Sequence, residues 1–177
     1  MKPERGGWRP LRRDELRDEL VHDSYKSKKK LPEPTRCPEC GAVYHAGRWT
    51  WRTAPADANA ATCPACHRLR DQFPAGYVTL KGAFLAAHRD EVLHLVRNRE
   101  AREKAEHPLE RIMAIEEVAG GVLVTTTDTH LACDIGEALH SAYKGELAYG
   151  YNKDENLLRV TWSRDRKDLQ DIPQGAR

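Results

Sequence analysis

The chain has 177 residues, 40% hydrophobic, 32% charged and only 7% aromatic, with a formal net charge of +2. That length allows one ordinary domain or two small ones on a linker, with a modest core under a strongly ionic surface. No apolar run approaches the roughly 20 residues of a membrane-spanning helix, and the opening MKPERGGWRPLRRDEL has no signal-type stretch, so the expected address is the cytoplasm.

Residues 1–35 read as a basic, mostly disordered arm. Pro3, Gly6, Gly7 and Pro10 oppose regular structure; a short helix is expected over 13–22, where Leu16 and Leu20 sit four apart. Residues 24–36 hold five basic residues, one acid and two prolines, a composition that cannot bury a core and favours an extended path. It suits either a phosphate-tracking arm or a solvated linker. Residues 36–78 contain two Cys-x-x-Cys pairs and end in the turn Phe73-Pro-Ala-Gly-Tyr77.

A long helix is expected over 79–108. Leu80, Phe84, Ala87, Val92, Leu95 and Val96 give its first half an apolar stripe. Its second half is polar all round, supported by pairs such as Glu100–Lys104, and should bridge or space units; Pro108 stops it. Residues 109–163 read as a ββαββ module: a strand over 112–118, a turn at Gly120-Gly121, and a β-branched return strand over 122–127. A helix follows, capped by Asp128 or Thr129, with Leu131, Ile135, Ala138, Leu139 and Ala142 inward and Gly145 at its end. Alternation through Leu147, Tyr149 and Tyr151, then Leu158, Val160 and Trp162, gives two more strands. The predicted fold class is α+β: a small zinc ribbon, a long connecting helix, a four-stranded, largely antiparallel sheet with one helix, and a polar tail over 164–177.

Cys37-Pro-Glu-Cys40-Gly and Cys63-Pro-Ala-Cys66, 22 residues apart, carry the strongest chemical signal. Each pair can place two thiolates on one ion, and two pairs complete a tetrahedron around Zn²⁺. With all four cysteines bound no open position is left, so one structural zinc is expected. Cys63-Pro-Ala-Cys66-His67 also fits c-type haem attachment, but that would leave the first pair unexplained. A redox pair would need a βαβ context that is missing here.

Cys133 reads as a packing residue within its helix. Asp128-Thr-His130 is either a helix cap or an acid–base pair. No zinc-protease, nucleophile-elbow or phosphate-loop signature occurs. No catalytic residue is assigned.

Charge divides the chain. Residues 1–70 carry 15 Lys and Arg against 9 Asp and Glu, and residues 71–177 carry 14 against 18. A polyanion should therefore meet the front half. The candidate RNA contacts are Lys26, Lys28, Lys29, Lys30, Arg36, Arg48, Arg52, Arg68 and Arg70, with Trp49 and Trp51 as stacking faces or as cover for a small core.

The knuckles followed by Val124-Thr-Thr-Thr-Asp-Thr-His-Leu-Ala and Ile135-Gly-Glu-Ala-Leu resemble the adapter family that escorts the large ribosomal subunit out of the eukaryotic nucleus, and in particular its shorter bacterial relatives. The resemblance spans roughly residues 32–163. The family's longer members have more cysteine pairs; the two here match one metal ion. The resemblance implies association with ribosomal RNA, a ribosomal subunit or ribosomal proteins, in assembly or dormancy. Two alternatives stand beside it: a protein–protein adapter acting through its zinc ribbon, and an enzyme using Asp128, His130 or Cys133.

Overall fold

Strands with a two-residue apolar alternation build the larger of two sheets in a computed structural model of the chain, which describes residues 9–10, 25, 29–152 and 157–165. The fold is mixed α/β, with four helices among the described residues. The small sheet contains β2 (Thr35–Arg36), β3 (Val43–His45), β4 (Arg48–Thr50) and β5 (Asn59–Ala60), in the order β4-β3-β2-β5. Helix α1 (Pro64–Asp71) follows it.

The large sheet contains β1 (Arg9–Pro10), β6 (Gly76–Lys81), β7 (Ile112–Val118), β8 (Gly121–Thr126), β9 (Glu146–Asn152) and β10 (Leu157–Ser163), in the order β1-β9-β10-β6-β8-β7. Helices α2 (Ala83–Ala87) and α3 (Arg89–Glu106) separate β6 from β7, and α4 (Thr129–Tyr143) separates β8 from β9. No helix among the described residues is long and apolar enough to cross a membrane.

The expected strands around Gly120 and around residues 147–162 form, but not as a contiguous four-stranded sheet. Strand β6 lies between β8 and β10, antiparallel to the first and parallel to the second. Residues 76–78 thus belong to this sheet, and the turn expected over Phe73–Tyr77 is cut short before Gly76, where β6 begins. Val78 and Leu80 are fully buried. Leu80 and Phe84 are four apart, which satisfies a helical period as well as a strand followed by a helix. The backbone decides between them: Gly82 has φ +102°, outside the helical region, and a Cβ there would lie 2.3 Å from the Arg164 carbonyl oxygen. The helix expected over 79–108 therefore begins only after this residue, and breaks again at His88 between α2 and α3.

The core gathers Val78, Leu80, Val122, Val124, Leu158, Val160 and Trp162 from the strands, Leu131, Ile135 and Leu139 from α4, and Val92, Leu93 and Val96 from α3. Ala142, expected inward, is exposed. Trp162 donates from Nε1 to the Lys144 carbonyl at 2.8 Å, satisfying an orphan acceptor just past α4. Arg164, expected in the polar tail, is buried with its guanidinium over the Phe84 ring, 4.4 Å from the centroid. Arg9–Pro10 pairs antiparallel with β9, so this part of the arm is an edge strand. The helix expected over 13–22 lies outside the described residues.

The polar half of α3 accepts bonds from two sides, with the Lys104 carbonyl taking the Trp51 Nε1–H just past β4. The expected Glu100–Lys104 pair is replaced: Glu100 Oε1 accepts the Ile112 backbone N–H at 2.7 Å, tying α3 to the start of β7. The four-apart ion pair on this helix is Arg99–Glu103 at 3.3 Å.

Candidate metal centre and adjoining cleft

The first cysteine pair sits on the turn between β2 and β3. There Cys37 N–H donates to the Ala42 carbonyl and Gly41 N–H to the Cys37 carbonyl; Gly41 takes φ +79°, which a side chain would strain. The second pair opens α1. Pro64 suits the first helical turn because its missing N–H would have no partner there, and Cys63 is the N-cap, its sulfur accepting the Cys66 N–H at 3.4 Å. Cys37 Sγ accepts the Cys63 N–H at 3.3 Å.

All four sulfurs lie within 4.8 Å of one another. Four sulfurs at the usual Zn–S distance stand about 3.8 Å apart along each tetrahedral edge; Cys40 and Cys63 are 3.7 Å apart. Donor type, number and spacing are thus compatible with a metal ion such as zinc, and Cys37, Cys63 and Cys66 are buried from water.

A residue without any sequence signal completes the centre. Arg111, only 7% exposed, enters from the other module. Its Nη1 approaches Cys66 Sγ at 3.5 Å and its Nη2 approaches Cys63 Sγ at 3.7 Å. Nε donates to the Pro108 carbonyl at 2.7 Å, and the backbone N–H to Thr127 Oγ1 at 3.0 Å. Four thiolates on a divalent ion leave an excess of two negative charges; a buried guanidinium beside two of the sulfurs offsets part of it. No sequence pattern marks Arg111, because a buried arginine reads like any surface one.

The thiols titrate differently. Burial would raise Cys40, but the Ala42 N–H and the Arg111 guanidinium outweigh it and bring the group down to about 7. Burial pushes Cys66 up to about 11 against the pull of Arg111, and drives Cys63 higher still, helped by the neighbouring thiolates. At neutral pH Cys63 and Cys66 hold protons that a metal must displace. Calorimetry in buffers of different ionisation enthalpy is expected to show net release of protons on zinc binding at pH 7, with apparent affinity rising as pH rises. Release of no proton would refute the assignment.

The basic and aromatic candidates are scattered in role. Arg68 is 1% exposed, its guanidinium 4.3 Å from the Tyr25 ring centroid and Nη1 donating to the Phe73 carbonyl. It is an internal brace and presents no charge to a surface ligand. Arg70 is paired with Glu39, and Lys30 lies 3.9 Å from Glu33. Arg36 and Arg52 are exposed and line one shallow groove with Asn59, a groove that no carboxylate among the described residues lines. Lys26 and Lys28 lie outside the described residues.

The two tryptophans differ. Trp49 is half-buried against the cysteine cluster and meets Tyr44 edge-on at 5.6 Å. Trp51 is exposed, but its Nε1 donates to the Lys104 carbonyl at 2.6 Å, pinning the hairpin to the C-terminal turn of α3.

A cleft of about 840 Å³ opens between the cysteine module and the start of α4. The first module contributes Lys29, Arg48, Trp49 and His67 to its lining; the second contributes His107, Glu110, Asp128 and His130. Asp128 caps α4, with Oδ1 accepting the His130 N–H at 2.7 Å. Asp128→Ala is expected to cost about 0.5–2 kcal/mol, and Asp128→Asn to be nearly neutral because Asn caps as well; thermal melts of the two variants check this. Cys133 packs beside the large core.

A second set of acids, Glu103, Glu110 and Asp134, also lies within 4.8 Å of one another. Burial, then repulsion from Asp128, Glu103 and Asp134, pushes Glu110 up to about 8. Arg99 offsets part of the repulsion within this set, lying 3.3 Å from Glu103 and 3.8 Å from Asp134. Set against protein-family models, curated proteins and solved structures, the chain matches none.

Proposed function

We propose that the protein is a non-catalytic zinc protein whose cysteine module is a zinc ribbon that associates with ribosomal RNA or a ribosomal subunit. The observation that carries the RNA reading is the groove on that module where Arg36 and Arg52 stand exposed together without a lining carboxylate. Arg36 on β2 and Arg52 just past β4 suit phosphate oxygens, since each guanidinium can make two parallel hydrogen bonds to them. Arg48 and Lys29 extend the positive surface toward the cleft. The ribosomal destination rests on the resemblance carried by residues 124–139, and the zinc on the four cysteines.

Sedimentation of the tagged protein through a low-salt gradient of cell lysate tests the reading. Comigration with ribosomal subunits and release at raised salt are expected, because phosphate contacts displace counterions. Binding of the zinc-loaded protein to ribosomal RNA duplex fragments should lose about 2 units of salt slope in the Arg36→Ala, Arg52→Ala double variant, at roughly 0.9 per contact. Wild-type protein that stays at the top of the gradient in both growing and stationary cells would overturn the proposal.

A further inference from the structure

We propose that the cleft between the two modules receives one unpaired nucleotide of an RNA strand, its base against Trp49 and its phosphate at Arg48 and Lys29. This rests on the RNA reading and goes beyond it by assigning a second site, distinct from the Arg36–Arg52 groove. The cleft volume of about 840 Å³ falls within the roughly 300–1,000 Å³ of pockets that enclose small molecules. Its walls are chemically divided. Trp49 and Tyr44 supply the aromatic surface, and Arg48 and Lys29 the cationic part, both from the cysteine module side. The facing module supplies Asp128 and Glu110.

A bare phosphate would be repelled by the Asp128 carboxylate, and a simple cation by Arg48 and Lys29. A ligand with an anionic end, a flat π face and an edge bearing N–H donors satisfies all three walls at once. Asp128 spends Oδ1 on the α4 cap, and its second oxygen belongs to the same cleft-lining carboxylate. A carboxylate accepts from the exocyclic amine of cytosine or adenine, which uracil lacks. The site should therefore prefer amino-bearing bases.

The test uses the full-length, zinc-loaded protein with labelled hexamers of cytidine, adenosine and uridine, and with free CMP. Fluorescence anisotropy reads affinity, and tryptophan emission reads contact, with Trp49→Phe assigning the signal. The cytidine and adenosine hexamers are expected to bind about tenfold more tightly than the uridine hexamer and to quench Trp49. CMP should bind at least about tenfold more weakly than its hexamer, since it lacks the flanking phosphate contacts. Asp128→Asn keeps the cap and should erase the base preference without changing the melting temperature. Arg48→Ala should weaken all three hexamers alike.

Hexamers that bind without quenching Trp49, with affinity and base preference unchanged in both cleft variants, would remove the cleft proposal and leave the RNA reading standing. CMP binding as tightly as its hexamer would overturn the strand as source. Absence of any hexamer binding at low salt would bring down the RNA reading together with the cleft.

Discussion

Cys63→Ser is expected to abolish zinc binding and unfold the cysteine module. Cys63 is buried, caps α1 and contributes one of the four sulfurs. The small core around it consists of Cys37, Ala42, Ala65 and Cys66, partly covered by Trp49 and Leu109. So few apolar side chains cannot offset the chain entropy of the segment by themselves. A structural zinc contributes on the order of 10 kcal/mol to such a unit, and serine leaves an oxygen that binds zinc poorly beside three thiolates.

The larger core shares no residue with that cluster. The six-stranded sheet should therefore survive and still melt cooperatively. It should not survive untouched, because Arg111 is buried against Cys63 and Cys66 and loses its partners. Elemental analysis and hydrogen exchange check this: zinc content falls from one per chain to none, protection disappears over residues 37–66, and protection in β6, β8 and β10 persists with a lowered midpoint. Iron, or no metal, in freshly purified wild-type protein would refute the zinc assignment.

Arg111→Ala is expected to give the second-largest effect. The guanidinium approaches two sulfurs and donates to the Pro108 carbonyl, so its removal leaves buried acceptors without their donor. Deleting one partner of a buried, paired charge costs about 3–5 kcal/mol, and losing a neighbour that orients metal ligands weakens metal binding by about 10–100-fold. Lysine should not rescue the site, since a single ammonium cannot reproduce a planar fork that reaches two sulfurs and a carbonyl. Competition with a chromophoric chelator gives the zinc affinity; thermal melts give the stability. If Arg111→Ala binds zinc as tightly as the wild type, the guanidinium plays no part in the centre. The backbone N–H of Arg111, which alanine keeps, is bonded to Thr127 Oγ1, one residue from the Asp128 cap, so the variant removes the contacts to the cysteine module and leaves this anchor in place.

Features set by neighbours in the chain are legible in the amino-acid sequence. The cysteine pairs announce their chemistry because a Cys-x-x-Cys turn brings two sulfurs together locally, and the fold adds that the two turns meet. The cap at Asp128, the hairpin at Gly120 and the inward face of α4 follow from backbone conformations and periods of a few residues.

Other features depend on partners far away in the chain. Residues 76–81 carry alternation too short to distinguish a strand from the start of a helix. Only pairing with β8 and β10, over 40 and 80 residues later, makes them the middle of a sheet. Arg68, Arg111 and Arg164 have the sequence surroundings of surface charges, yet rings, sulfurs and carbonyls from other elements bury them. Trp51 looks like a free stacking face until the Lys104 carbonyl holds its N–H. The sequence by itself determined the four-cysteine donor set, which could hold a metal ion, and the local elements, since those depend on spacing. The tertiary structure decided the strand order, which charges remain exposed, and the cleft between the modules, since those depend on which distant side chains share one volume.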